Sequence, residues 1–146
     1  MYDFTVGSIL LVEADPETCG RWSAELGDAG HSVLTTTAMR DALSTIREGG
    51  IDVVVIDAYD PSVGVVELAE ALERLPDTPP LVLVSGSPAA PEISARICAA
   101  HFLAKPCEPD ELVDVVSRLL GHRPVLVLDD EEPTGQVRAY PDTDKN

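Results

Sequence analysis

Five short apolar runs, alternating with stretches of helical spacing, constrain this chain more tightly than any other feature of it. They are SILLVE (8–13), HSVLTTT (31–37), IDVVVID (51–57), PLVLVS (80–85) and HFLAKP (101–106). Val53 to Ile56 and Leu81 to Val84 are apolar at every position, so strands there must be covered on both faces. Strands that alternate with helices pair in parallel, because each crossover helix returns the chain to the same end of the sheet. The expectation is an α/β fold with a doubly wound, five-stranded parallel sheet flanked by five helices.

The intervening segments carry helix punctuation. Asp15 followed by Pro16 reads as an N-cap and a first helical residue, and Trp22, Leu26 and Ala29 form an i, i+4, i+7 stripe that Gly30 closes. Gly20 and Gly27 lie inside this helix and weaken it. Met39, Ala42, Leu43 and Ile46 share one side of a second helix that stops at Gly49–Gly50. Val65, Leu68, Ala69 and Leu72 do the same in a third, ended by Pro76. Pro91 sits in the first turn of a fourth with Ile93 and Ile97, and Pro109 opens a fifth that carries Leu112, Val115, Val116 and Leu119 and ends at Gly121.

A chain of 146 residues is expected to form one domain, here over 7–121. Residues 122–146 read as an acidic C-terminal tail or the start of a linker. Within them Val125 to Leu128 are open to three readings: an added edge strand, a docking peptide or linker.

The 26 acidic residues outnumber 10 basic ones, for a formal charge of −16. Nucleic acid is therefore disfavoured as a partner, since binding it relies on cations that neutralise phosphates, and anionic membrane surfaces repel the chain. No apolar run approaches the roughly 18 residues of a membrane span, and no signal-peptide core follows MYDFTVG. The expected location is the cytoplasm. Cys19, Cys98 and Cys107 are odd in number and form no C-x-x-C pair, which points to reduced thiols rather than a disulfide framework or a zinc site.

Parallel sheets bind ligands beyond the carboxyl ends of their strands. Four of the five runs end there in a polar side chain: Glu13, Asp57, Ser85 and Lys105. Singly, Asp57 is a turn former or cap, Ser85 a loop residue before Gly86, and Lys105 a solvated lysine. Together, an acid pair, a hydroxyl and an ammonium suit phosphoryl chemistry, with carboxylates to attack or to hold Mg²⁺ and donors to grip phosphoryl oxygens. Lys105 is the lysine that precedes the tail in a chain otherwise supplied with arginine, which suggests a task for a compact ammonium.

Over roughly residues 7 to 121 these features resemble the receiver domain of bacterial two-component response regulators. VEADP resembles the family's acidic pocket, and VVVIDAYDP its third strand, with Asp57 as phosphoacceptor and Pro61 as the proline four residues on. LVLVSG places Ser85 at the Ser/Thr position. FLAKP places Lys105 and Pro106 at the Lys-Pro pair and Phe102 at the aromatic switch. The resemblance implies a flavodoxin-like sheet of order 2-1-3-4-5 and phosphoryl transfer to Asp57 from a sensor histidine kinase or phosphotransfer protein. It further implies a grip by Lys105 and Ser85, and a Ser85–Phe102 rearrangement read by a downstream protein target. A homodimer through the fourth helix, fifth strand and fifth helix is a further implication.

The sequence departs from that pattern at Ala14, where the family usually carries a second acid that ligates the metal. A methyl group cannot coordinate Mg²⁺. The expected ligands are then Glu13, Asp57 and the backbone carbonyl of Tyr59, with weakened binding, while Asp15 is expected to cap the first helix. Gly64 stands where an aspartate is frequent, and AAHFLAKP lacks a usual glycine turn.

Two readings follow: a phosphorylatable receiver, or a degenerate pseudo-receiver that binds protein partners without phosphate. An enzyme or flavoprotein on the same architecture is the weaker reading, because no G-x-G-x-x-G follows the first run, no G-x-S-x-G is present, and His31, His101 and His122 are scattered. The chain is expected to be a signalling protein and not an enzyme. No output domain fits after Gly121, so the signal is expected to leave by protein contacts or through further parts of a longer chain.

Overall fold

A computed structural model describes residues 6–58 and 64–121. In chain order its elements are β1 (Ser8–Glu13), α1 (Pro16–Asp28), β2 (Ser32–Thr36), α2 (Met39–Arg47), β3 (Val53–Asp57), α3 (Val65–Glu73), β4 (Leu81–Ser85), α4 (Ala90–Arg96), β5 (His101–Ala104) and α5 (Pro109–Gly121). The strands form one parallel sheet of order β2-β1-β3-β4-β5. All five expected strands and five expected helices are present, with the doubly wound topology. Tyr59, Pro61 and the apolar segment at Val125 to Leu128 lie outside the described residues.

Alternation of side chains along each strand splits the core into two layers. Leu10, Val12, Val54, Ile56 and Leu83 face one side, where α2, α3 and α4 cover them with Ile46, Leu68, Leu72 and Ile93. Ile9, Leu11, Val53, Val55, Val82 and Val84 face the other, under Trp22 and Leu26 of α1 and Leu112, Val115, Val116 and Leu120 of α5. Every residue of β3 and β4 is buried, as their uniformly apolar sequences require. β2 is an edge strand, and Leu34 on it is exposed.

Local chemistry explains the boundaries. Asp15 is the N-cap of α1: its Oδ2 accepts from the Thr18 backbone N–H at 2.9 Å and from the Thr18 hydroxyl at 2.6 Å. This cap, together with buried Trp22 and Leu26, holds α1 helical across Gly20 and Gly27. At the opposite end of the sheet the Gly7 N–H donates to Nδ1 of buried His31 at 3.2 Å, and the Ser8 N–H donates to Asp52 Oδ2 at 2.8 Å. Burial pushes the His31 imidazole below its ordinary value and keeps Nδ1 an acceptor.

The two departures on the α3 and α4 side have physical causes. Gly64 is the N-cap of α3 at φ +82°, and a Cβ there would lie 3.1 Å from Met39 Cγ, so an aspartate would be strained and would crowd α2. The short α4 ends in a turn where Cys98 takes φ +56°, which supplies with a non-glycine residue the left-handed step that a glycine would otherwise make.

Candidate functional site

Parallel pairing brings the strand tips level. Glu13 pairs with Asp57 across β1 and β3, and Ser85 with Ala104 across β4 and β5, so Lys105 emerges beside Ser85, to whose carbonyl its own N–H donates at 3.1 Å. The tips open into a cleft of about 620 Å³ lined by Glu13, Asp15, Thr18, Asp57, Ala58, Gly86, Ser87, Pro88 and Lys105. Three of the four expected side chains, Glu13, Asp57 and Lys105, line it. Ser85 lies just beneath: it is 1% exposed, and its hydroxyl accepts from the Ser87 N–H at 3.1 Å.

Asp57 is the centre of the arrangement. Its side chain is 2% exposed, and Oδ1 lies 2.6 Å from Lys105 Nζ, whose side chain is about one-third exposed. Burying a carboxylate is costly unless a cation and hydrogen bonds compensate. Lys105 compensates one oxygen; Oδ2 is buried and has no protein partner. Glu13 shows the same asymmetry, with Oε2 accepting from the Asp15 N–H at 2.9 Å and Oε1 buried without a partner. The two strands thus present two carboxylates in register, each with one uncommitted oxygen.

The electrostatic consequence falls on Glu13. Burial, reinforced by the hydrogen bond that Glu13 can donate to Asp57 only when protonated and by the negative charge of Asp57, pushes its carboxyl from an ordinary 4.5 up to about 7, against the Asp15 N–H and Lys105, which favour the anion. An acid whose folded value is raised binds its proton more tightly folded than unfolded. Glu13 therefore lowers stability as pH climbs from 4.5 to about 7, and adds little further slope above it. Urea unfolding of the wild type and Glu13→Gln at pH 5 and pH 8 checks this. The glutamine variant is expected to gain relative stability at pH 8, and an equal difference at both pH values would exclude it.

The uncommitted oxygens of Glu13 and Asp57 fit a divalent cation, since oxygen donors with no other partner are what Mg²⁺ requires. The remaining neighbourhood fits it poorly. Ala14 supplies no oxygen, and Asp15 is engaged in capping α1, its carboxyl held below the usual range by the Thr18 hydroxyl and N–H. Among the described residues, no group of three or more histidine, cysteine or acidic side chains is placed to hold a metal. Two carboxylates, with the Tyr59 carbonyl outside the described residues, form a reduced donor set.

Phe102 is half-buried and packs against the layer covered by α2, α3 and α4, next to Leu83 across the β4–β5 register. The Lys105–Pro106 peptide bond is cis. All three cysteines are free, and burial pushes the Cys107 thiol up. In the sequence Trp22 reads only as part of the α1 stripe, yet Lys105 Nζ lies over its ring, 5.8 Å from the centroid. Nothing in the linear pattern links residues so far apart; the reach of Lys105 from the end of β5 to Asp57, on the side of the sheet that α1 and α5 cover, brings them together.

The response regulator receiver domain family model matches residues 9–117. The transcriptional regulatory protein TcrA of Mycobacterium tuberculosis is 28% identical over 119 residues, which cover 80% of this chain and 47% of TcrA, so the chain spans about half the length of that relative. Among solved structures, the Vibrio cholerae chemotaxis protein CheY4 is similar with a TM-score of 0.67 at 25% identity, over 79% of this chain and 99% of CheY4. The receiver domain of the sensor histidine kinase PA1611 of Pseudomonas aeruginosa PAO1, solved with magnesium coordinated in its active site cleft, is similar with a TM-score of 0.71 at 20% identity. That match covers 79% of this chain and 98% of the other, and its likeness is one of fold. No helix among the described residues is long and apolar enough to cross a membrane.

Proposed function

Because the chain belongs to the response regulator receiver domain family, a family of signalling domains in two-component phosphorelays, we propose that Asp57 accepts a phosphoryl group from a phosphohistidine of a sensor kinase or phosphotransfer protein. The observation that carries this is the Asp57 carboxylate in the cleft, with Oδ1 held by Lys105 and Oδ2 uncommitted. Oδ2 is the nucleophile. As its bond to phosphorus forms, the phosphorus–nitrogen bond of the donor breaks and its electron pair returns to the imidazole ring.

The chain's own groups then manage charge. The Lys105 ammonium faces the carboxylate and follows the phosphoryl oxygens once Asp57 carries the acyl phosphate. Ser85 keeps its hydroxyl proton free to donate, because its oxygen only accepts from the Ser87 N–H. Glu13 and Asp57 would hold Mg²⁺, with the Tyr59 carbonyl as a third oxygen, and the metal when bound would neutralise charge on the phosphoryl oxygens. Phe102, between β5 and the layer containing α4, is the aromatic through which a shift of Ser85 changes the outer surface. A downstream protein reads that change.

A second reading is favoured by Ala14 and by the commitment of Asp15 to its cap. In it the domain binds protein partners without phosphate. Incubation with phosphoramidate or beryllofluoride and millimolar Mg²⁺, followed by intact mass and amide NMR, separates the two. Incorporation of one phosphoryl group, or shifts spreading from the cleft to α4 and β5, supports the receiver reading. An unchanged mass and an unchanged spectrum would leave the second.

A further inference from the structure

Trp22 lies outside the set of strand-end residues that the receiver reading uses, yet it touches that set through one atom. Its indole is 3% exposed, in the layer formed by α1 and α5, and Lys105 Nζ stands 5.8 Å from the ring centroid while lying 2.6 Å from Asp57 Oδ1. The ammonium therefore has two attractive neighbours, a carboxylate oxygen and an aromatic face. The negative face of an indole attracts a cation, and does so most when the pair is partly withdrawn from water.

We propose that Trp22 is a positioning residue for Lys105. A lysine side chain has four rotatable bonds, and a single contact to one carboxylate oxygen leaves much of that freedom. A second attractive surface narrows it and keeps the ammonium over the cleft. The ring matters more here than in a site with a full set of acids: with Ala14 in place of a carboxylate, fewer anions draw the ammonium inward. The indole attraction also does not depend on the state of Asp57, so the lysine stays at hand when that carboxylate is phosphorylated. The expectation about transfer rests on the receiver reading; the placement of Lys105 does not.

Two variants and two readouts test it. Lysine occurs only at Lys105 and Lys145, so ¹³C-lysine labelling gives two sets of signals, assigned by Lys105→Met. In the wild type the Lys105 Cε protons are expected at ring-shifted positions, displaced in part in Trp22→Phe and returned to ordinary values in Trp22→Leu. Phosphorylation by phosphoramidate, measured where each variant is fully folded, is expected to slow roughly three- to tenfold in Trp22→Leu and to recover most of that loss in Trp22→Phe, which keeps an aromatic face. Rates that follow melting temperature alone, equal in the two variants, would mean that Trp22 is merely a packing residue. An unshifted Lys105 signal in the wild type overturns the proposal outright. If the wild type takes up no phosphoryl group, the receiver reading fails and the lysine signals alone decide the role of Trp22.

Discussion

Asp57→Asn is expected to take up no phosphoryl group under conditions where the wild type does. The substitution keeps shape and volume but replaces the nucleophilic oxygen pair by an amide, which neither attacks phosphorus usefully nor offers Lys105 a full negative charge. Lys105, about one-third exposed, loses only its ion pair and can regain solvent contacts without leaving the cleft, so the variant should stay folded and the loss should be chemical. The informative part is Glu13, the other carboxylate of the cleft with a buried, uncommitted oxygen. With the charge of Asp57 gone, two influences that raise the Glu13 value disappear and it ionises more readily. Intact mass and peptide mapping after phosphoramidate treatment decide the matter. A phosphoryl group still carried by Asp57→Asn would move the acceptor to Glu13 and overturn the assignment of Asp57.

Ala14→Asp is expected to tighten Mg²⁺ binding by about tenfold or more, because it adds a third carboxylate beside Glu13 and Asp57. The same change has a cost in the absence of metal. Three acids at one end of the sheet repel one another, the Glu13 value rises further, and the metal-free variant should melt below the wild type at pH 8. Added Mg²⁺ should reverse the order, since a ligand bound only by the folded state stabilises it in proportion to the logarithm of its concentration over its dissociation constant. Thermal melts across a Mg²⁺ titration therefore show two curves that cross. Parallel curves would mean that the methyl group of Ala14 is not what limits metal binding, and that the cleft is closed to the ion for another reason.

The sheet and its order were legible because the apolar runs declare themselves: nothing but a two-sided strand explains Val53 to Ile56 or Leu81 to Val84. The Asp15 cap was equally legible, as Asp-Pro before an apolar stripe has few other uses. Convergence of Glu13, Asp57 and Lys105 followed from topology, since parallel strands in this order end on one edge. The orientation of Ser85 was not, because whether a buried hydroxyl faces a cleft or folds back to the Ser87 N–H depends on the turn after it. The partnership of Trp22 with Lys105 was hidden for a related reason: a helical stripe records which face is covered, not what stands at its rim. Cys98 shows a third limit. A missing glycine looks like an altered loop in the sequence, whereas the backbone keeps the left-handed step and accepts a side chain there.

The sheet also acts as a partition. The helices α1 and α5 rest on one of its sides and α2, α3 and α4 on the other, with no side chain of β3 or β4 shared between them. Phe102 belongs to the second side. If Asp57 is phosphorylated as proposed, a rearrangement that begins at the strand tips and travels by way of Phe102 would reshape α4 while α1 and α5 keep their contours. Of the outer face formed by α4, β5 and α5, one flank would then be variable and the other constant, so a binding protein that touched both would be anchored by the constant flank and informed by the variable one.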